Sequence, residues 1–154
     1  MDEKNSGTAT ANDLELVIDR TFDAPRDIVW KAWTERMGEW SAPKGFSIPV
    51  GKGDVRPGGK WHASMTGSDG VELKLGGVYR EVVPPERLVF THAWKDANGG
   101  SSPETVVTVV LIDRGNRTQM KFRQTGFDSA GARDGHAGGW GSSFDRLDEL
   151  LAKD

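Results

Sequence analysis

The chain has 154 residues, 36% of them hydrophobic, and its 20 Lys and Arg against 23 Asp and Glu leave a net charge of −3 at pH 7. This length suits one domain with a core of its own, and the slightly acidic balance argues against a nucleic-acid partner held through its phosphates. The absence of cysteine excludes disulfides, thiolate metal sites and thiol nucleophiles, and no apolar run approaches the ~20 residues of a membrane span.

Met1-Asp2-Glu3-Lys4 leads into no apolar signal segment, so a cytoplasmic protein with no membrane partner is expected. Residues 1–12 are small and polar and predict a disordered tail, leaving a single domain over 13–154. Order begins with the β-branched run Leu14–Phe22, a strand stopped by Ala24-Pro25. Pro25 fits a first helical position, and Val29, Trp30, Trp33, Met37 and Trp40 then recur at helical spacing across one helix or two short ones. Gly38 and Pro43 break and end that segment.

From Gly45 to Gly126 the pattern changes to short strands separated by turn signals, with 51–53, 58–59, 69–70, 84–85, 98–100 and 115–116 read as turns. Trp61, Ala63 and Met65 share one face. Leu88, Phe90, His92 and Trp94 share another, as do Thr118, Met120, Phe122 and Gln124. Val106–Ile112 is apolar at nearly every position and reads as a strand covered on both faces.

The last segment is helical, with His136, Trp140, Ser143, Phe144, Leu147, Leu150 and Leu151 on one face and Asp128 or Ser129 placed to cap it. Five glycines between 131 and 141 weaken its front half, each by about 1 kcal/mol relative to Ala, and mark it as a place where the helix opens locally. The elements sum to an α+β domain in which a long terminal helix lies across a curled antiparallel sheet and encloses a space that it either fills or only covers.

Arg20-Thr21-Phe22-Asp23-Ala24-Pro25 followed by Val29-Trp30-Lys31-Ala32-Trp33-Thr34 resembles the opening of the START-like (Bet v 1-like, SRPBCC) superfamily. More narrowly, it resembles the branch of homologues of the activator of Hsp90 ATPase (AHSA1-like). Asp54-Val55-Arg56-Pro57-Gly58-Gly59-Lys60-Trp61, the run Glu81–Thr91, and Gly138-Gly139-Trp140 with Phe144-Asp145-Arg146-Leu147 agree in order and spacing. The resemblance spans about residues 14–152. It implies a helix-grip fold: a curved seven-stranded antiparallel sheet, two short helices, and a long C-terminal helix over a cavity. Where the family commonly carries a Trp pair, Trp40 is followed here by Ser41, which implies a wider or more polar cavity mouth.

The chemistry-bearing residues are sparse. His62, His92 and His136 are the three histidines; no HExxH, EF-hand loop, phosphate loop or GxSxG elbow occurs, so neither a metal nor a cofactor is expected. His92 shares a face with Leu88, Phe90 and Trp94 and is expected to point inward with a lowered pKa. Either a neighbouring strand or water satisfies it, or it anchors a ligand. Gln124 is placed alike, His62 falls on the outer face, and His136 falls near the cavity mouth. Tyr79 is a candidate for acid–base work only with a carboxylate beside it.

The leading expectation is a binding protein for an apolar or amphipathic, lipid-like small molecule. Its cavity would be lined by Trp33, Trp40, Trp61, Met65, Phe90, His92, Trp94, Phe122, Gln124, His136, Trp140 and Phe144. One alternative is a stress-related or chaperone-interacting module, as the family's name suggests. Another is a cavity enzyme of hydrolase or cyclase type, for which no catalytic constellation appears. The chain alone leaves monomer and homodimer open.

Overall fold

The computed structural model describes residues 14–41, 46–67, 70, 72–95 and 102–153. The expected tail over 1–12, Pro43 and the turn at 98–100 lie outside them. The elements run β1 (Leu16–Phe22), α1 (Arg26–Glu35), a 3-10 turn (Met37–Glu39), β2 (Phe46–Gly53), β3 (Lys60–Gly67), β4 (Glu72–Val83), β5 (Arg87–Lys95), β6 (Thr105–Asp113), β7 (Thr118–Thr125) and α2 (Ala130–Lys153). The strands form one seven-stranded antiparallel sheet in the order β1-β7-β6-β5-β4-β3-β2. Register shifts at Ser47/Val50 and Tyr79/Glu81 interrupt its ladders, and such bulges bend a strand and increase its twist.

Strand alternation sorts the side chains. On β7, Thr118, Met120, Phe122 and Gln124 are buried, while Lys121 and Arg123 face solvent. β6 corrects the sequence reading: Val107, Val109 and Leu111 are buried, whereas Val106, Val110 and Ile112 are only half-buried. The reason is architectural. α1 and α2 contribute to the same core as the inward residues of β1 and β5–β7, so that sheet face is packed, while the outer residues of β6 are covered only in part. Gly51 and Gly53, read as hairpin glycines, lie within β2 opposite Ala63 and Trp61, and the connection to β3 falls at 54–59.

Pro25 is the N-cap of α1 rather than its first helical residue, and its carbonyl accepts from the Ile28 and Val29 amides at 3.1 and 3.2 Å. Trp40 follows the 3-10 turn and donates its indole N–H to the Ala32 carbonyl at 2.9 Å, folding this segment back on α1. Ser129 caps α2, its Oγ accepting from the Ala132 amide at 3.1 Å. The rear half of α2 is anchored by Phe144, Leu147 and Leu151 in the core, and Arg20 on β1 bonds both Asp145 and Asp148. The front half is tied to the sheet by two hydrogen bonds, Trp140 to Gln124 and Trp94 to His136, and carries glycines between them. Side chains built at Gly135, Gly138 and Gly141 would meet nothing within 4 Å, so close packing does not account for these glycines.

Two stability measurements test this division. Leu147 is fully buried, and Leu147→Ala is expected to cost about 2–5 kcal/mol in urea unfolding; a loss below about 0.5 kcal/mol would contradict its packing. Gly138→Ala, at an exposed helical position with open space, should raise stability by about 0.5–1 kcal/mol, because only helix propensity changes.

Candidate functional site

Between the front half of α2, the end of α1 and strands β3–β5 lies a cavity of about 830 Å³. Its α2 wall is Ala132, Gly135, His136, Gly139, Trp140 and Ser143, the helical spacing of one face. Trp33, Met37 and Ser41 close one side, while Trp61, Met65, Leu75, Tyr79, Phe90, His92 and Trp94 rise from the sheet. Glu35, Gly38, His62 and Gly135 are exposed and mark its rim.

The structure brings together eight of the twelve residues named from the sequence: Trp33, Trp61, Met65, Phe90, His92, Trp94, His136 and Trp140. It places Trp40, Phe122, Gln124 and Phe144 behind the wall instead, each at most 1% exposed. Trp40 and Phe144 pack on Trp33 at ring-centroid distances of 4.8 and 6.1 Å, and Phe122 packs on Trp140 at 4.9 Å. Gln124 is consumed by the protein: its Oε1 accepts from Trp140 Nε1 at 2.9 Å, and its Nε2 donates to Thr105 Oγ1 at 2.8 Å. Thr105 in turn donates to the His92 carbonyl at 3.0 Å, so one chain of bonds ties α2 through β7 and β6 to β5. Strand alternation identifies which residues face inward. It does not separate the inward residues that meet a helix from those that meet a void.

Tyr79 and Ser41 are lining residues that the sequence did not assign to the cavity. Tyr79 follows from its register opposite Phe90, where its ring packs at 5.9 Å. Ser41 follows Trp40, and its carbonyl accepts from Ser143 Oγ at 2.9 Å. Gly77 makes the sheet wall possible. It pairs with Trp61, and a Cβ there would lie 1.9 Å from the Thr91 carbonyl oxygen, the acceptor of the Trp61 indole N–H at 3.0 Å.

The polar end is an imidazole pair. The His92 and His136 rings lie 5.3 Å apart, edge to face, with Trp94 at 5.4 Å from His92 and Phe127 at 5.0 Å from His136. Trp94 Nε1 donates to His136 Nε2 at 3.0 Å, which makes that nitrogen an acceptor and puts the neutral ring's proton on Nδ1. Burial lowers the His92 pKa to about 3, with the facing His136 adding to the effect; burial also lowers that of His136 and raises that of Tyr79. A smaller space of about 50 Å³, lined in part by Asp128, Ser102 and Thr105, shares the same two histidines. His62 is exposed, as its strand face predicts.

A one-layer sheet gripped by a terminal helix around a half-filled interior defines the class: a helix-grip α+β domain with an internal cavity. Residues 23–152 match the family described as Activator of Hsp90 ATPase homolog 1-like protein, and the chain belongs to that family. The fold is similar to that of a Chromobacterium violaceum protein, at 26% identity and a TM-score of 0.83, the match covering 91% of this chain and 98% of that one. A Nitrosomonas europaea protein is similar at 26% identity and a TM-score of 0.78, covering 94% and 97%. The AHSA1 protein from Silicibacter pomeroyi shares the fold at 24% identity and a TM-score of 0.80, covering 90% and 97%. No curated protein matches the sequence. Among the described residues, no helix is long and apolar enough to cross a membrane.

The histidines make stability depend on pH. The folded pKa of His92 lies below its unfolded value, so between about 3 and 6.5 the unfolded chain binds more protons than the folded one. The contribution is full above 6.5 and is lost as pH falls towards 3. Urea-unfolding free energies measured from neutral pH downwards should fall with a His92 contribution approaching about 1.4 kcal/mol per pH unit. That contribution should disappear in His92→Gln; identical pH slopes in both proteins would contradict the burial of a neutral imidazole.

Proposed function

We propose that this protein binds an apolar or amphipathic, lipid-like small molecule inside its cavity and acts without a cofactor. The observation that carries this reading is the cavity of about 830 Å³, walled mainly by aromatic and aliphatic side chains where a filled core would otherwise be. Ligand sites are concave, largely apolar and furnished with few polar groups, commonly in spaces of about 300–1,000 Å³. Trp33, Trp61, Phe90, Trp94 and Trp140 supply contact area, and His92 and Tyr79 supply polar contacts. The front half of α2 is the way in, since its glycines weaken the part of the helix that roofs the cavity.

The chaperone-interacting reading suggested by the family description draws less support from the surface. Among the described residues the exposed large hydrophobics are Val17 and Val83, on strands β1 and β4, and scattered single residues do not make a docking patch.

Native mass spectrometry of protein purified without detergent should show a bound hydrophobic small molecule or uptake of an added one. Ala132→Phe, which pushes a ring into the cavity, should abolish that binding without unfolding the domain. In hydrogen exchange, amides of residues 131–141 should gain protection on binding while 144–151 stay protected throughout. A protein that takes up nothing, or a helix α2 uniformly protected when empty, would overturn the reading.

A further inference from the structure

The polar atoms of this cavity are distributed unevenly. Three indoles on its wall turn their N–H groups into the protein: Trp61 to the Thr91 carbonyl at 3.0 Å, Trp140 to Gln124 at 2.9 Å and Trp94 to His136 at 3.0 Å. The wall therefore presents ring carbon to the space, and the face of an aromatic ring carries negative potential that disfavours an anion. Ser143 is likewise spent on the Ser41 carbonyl. The hydroxyl of Tyr79, a buried residue on the same wall, makes no hydrogen bond to any described residue, yet it is not among the buried side-chain atoms sealed off without a partner. Gly53 keeps the space beside it open, since a Cβ there would come within 3.3 Å of that hydroxyl and of the Trp61 Cβ.

The titratable groups on the described lining are Glu35 and His62 at the rim and Tyr79, His92 and His136 within. His136 holds its Nε2 lone pair towards Trp94, and His92 is packed among Trp61, Trp94, Trp140 and His136 rings. Neither is placed to meet a buried carboxylate as a cation, and the rim carboxylate of Glu35 adds repulsion at the entrance. Asp128 lines the smaller space with the same histidines and does not line the cavity.

We infer that the cavity selects an uncharged aromatic or polycyclic molecule carrying a hydroxyl or carbonyl group that hydrogen-bonds Tyr79, and rejects fatty-acid-like anions. This rests on the cavity-binding function proposed above and narrows its ligand. An aromatic skeleton matches the ring-lined walls through offset and edge-to-face contacts, and one polar group matches the hydroxyl of buried Tyr79, whereas the other unspent hydroxyl of the described lining belongs to half-buried Ser41. A carboxylate would have to leave water for a space with no described cation to receive it.

The test compares probes of one skeleton at neutral pH: pyrene, pyrenemethanol, pyrenecarboxylate and pyrenemethylammonium, read by energy transfer from the protein's tryptophans. Pyrenemethanol should bind at least about tenfold more tightly than either charged probe. Tyr79→Phe, which keeps the ring, should weaken pyrenemethanol about three- to tenfold and leave pyrene unchanged. Carboxylate or ammonium binding as tight as the alcohol would overturn the inference, as would a Tyr79→Phe protein that binds pyrenemethanol like the wild type or loses pyrene equally. Failure of every probe, the parent hydrocarbon included, would instead overturn the cavity-binding function itself.

Discussion

Trp33 is the side chain on which the rest of the interior depends. It is 1% exposed, and five other rings surround it: Trp40 at 4.8 Å, Trp140 at 5.8 Å, Phe144 at 6.1 Å, Phe90 at 6.3 Å and Phe122 at 6.4 Å. Those rings come from the segment after α1, from α2 and from strands β5 and β7, so one indole joins every layer of the domain. Its own N–H finds no acceptor among the described residues, a cost of about 1–3 kcal/mol that the surrounding aromatic packing must offset. Trp33 also forms part of the cavity wall. It is the boundary where the filled core stops and the hollow begins.

The hollow follows from how one sheet face is covered. Two helices must shield the inward residues of seven strands, and α2 does so unequally along its length. Its rear half brings Phe144, Leu147 and Leu151 onto the sheet and is tied to β1 through Arg20. Its front half brings Ala132, Gly135 and Gly139, too small to reach β3–β5, and meets β5 through His136. The inward residues there, Met65 and Leu75, form a small cluster of their own with Trp61, Ala63 and Trp94. Small residues on one half-helix thus create the volume, and the same glycines weaken the roof above it.

The polar groups of the site show how hydrogen bonding shapes selectivity. Gln124, Thr105 and the Trp140 indole satisfy one another, so none offers a bond to a guest. Trp94 and His136 do the same at the other end. Buried polar groups seek partners, and within a folded chain most find them in neighbouring strands and helices. What remains for a ligand is the small remainder, chiefly the Tyr79 hydroxyl and the buried imidazole of His92.

Much of this was legible in the residues. Period-two alternation identified the inward faces of β3, β5 and β7, and helical spacing identified Trp140, Phe144, Leu147 and Leu151 as one face of α2. Motifs such as Arg20–Pro25 and Gly138–Trp140 indicated the family. Those signals are local: backbone geometry sets the period of a strand or helix, and its apolar residues must face inward whatever lies opposite. What lies opposite is a tertiary matter. Phe122 and Gln124 share a face and are equally inward, yet α2 covers both, while Phe90 and His92 two strands away face the void. Val106, Val110 and Ile112 are apolar enough for a covered strand, yet no helix packs behind them and they stay half-buried. The periodicity of each segment is enough to say which of its sides turns inward. Whether an inward side chain fills the core or lines a cavity depends on the distance between two layers and on the size of the residues facing across it, and no single segment carries that information.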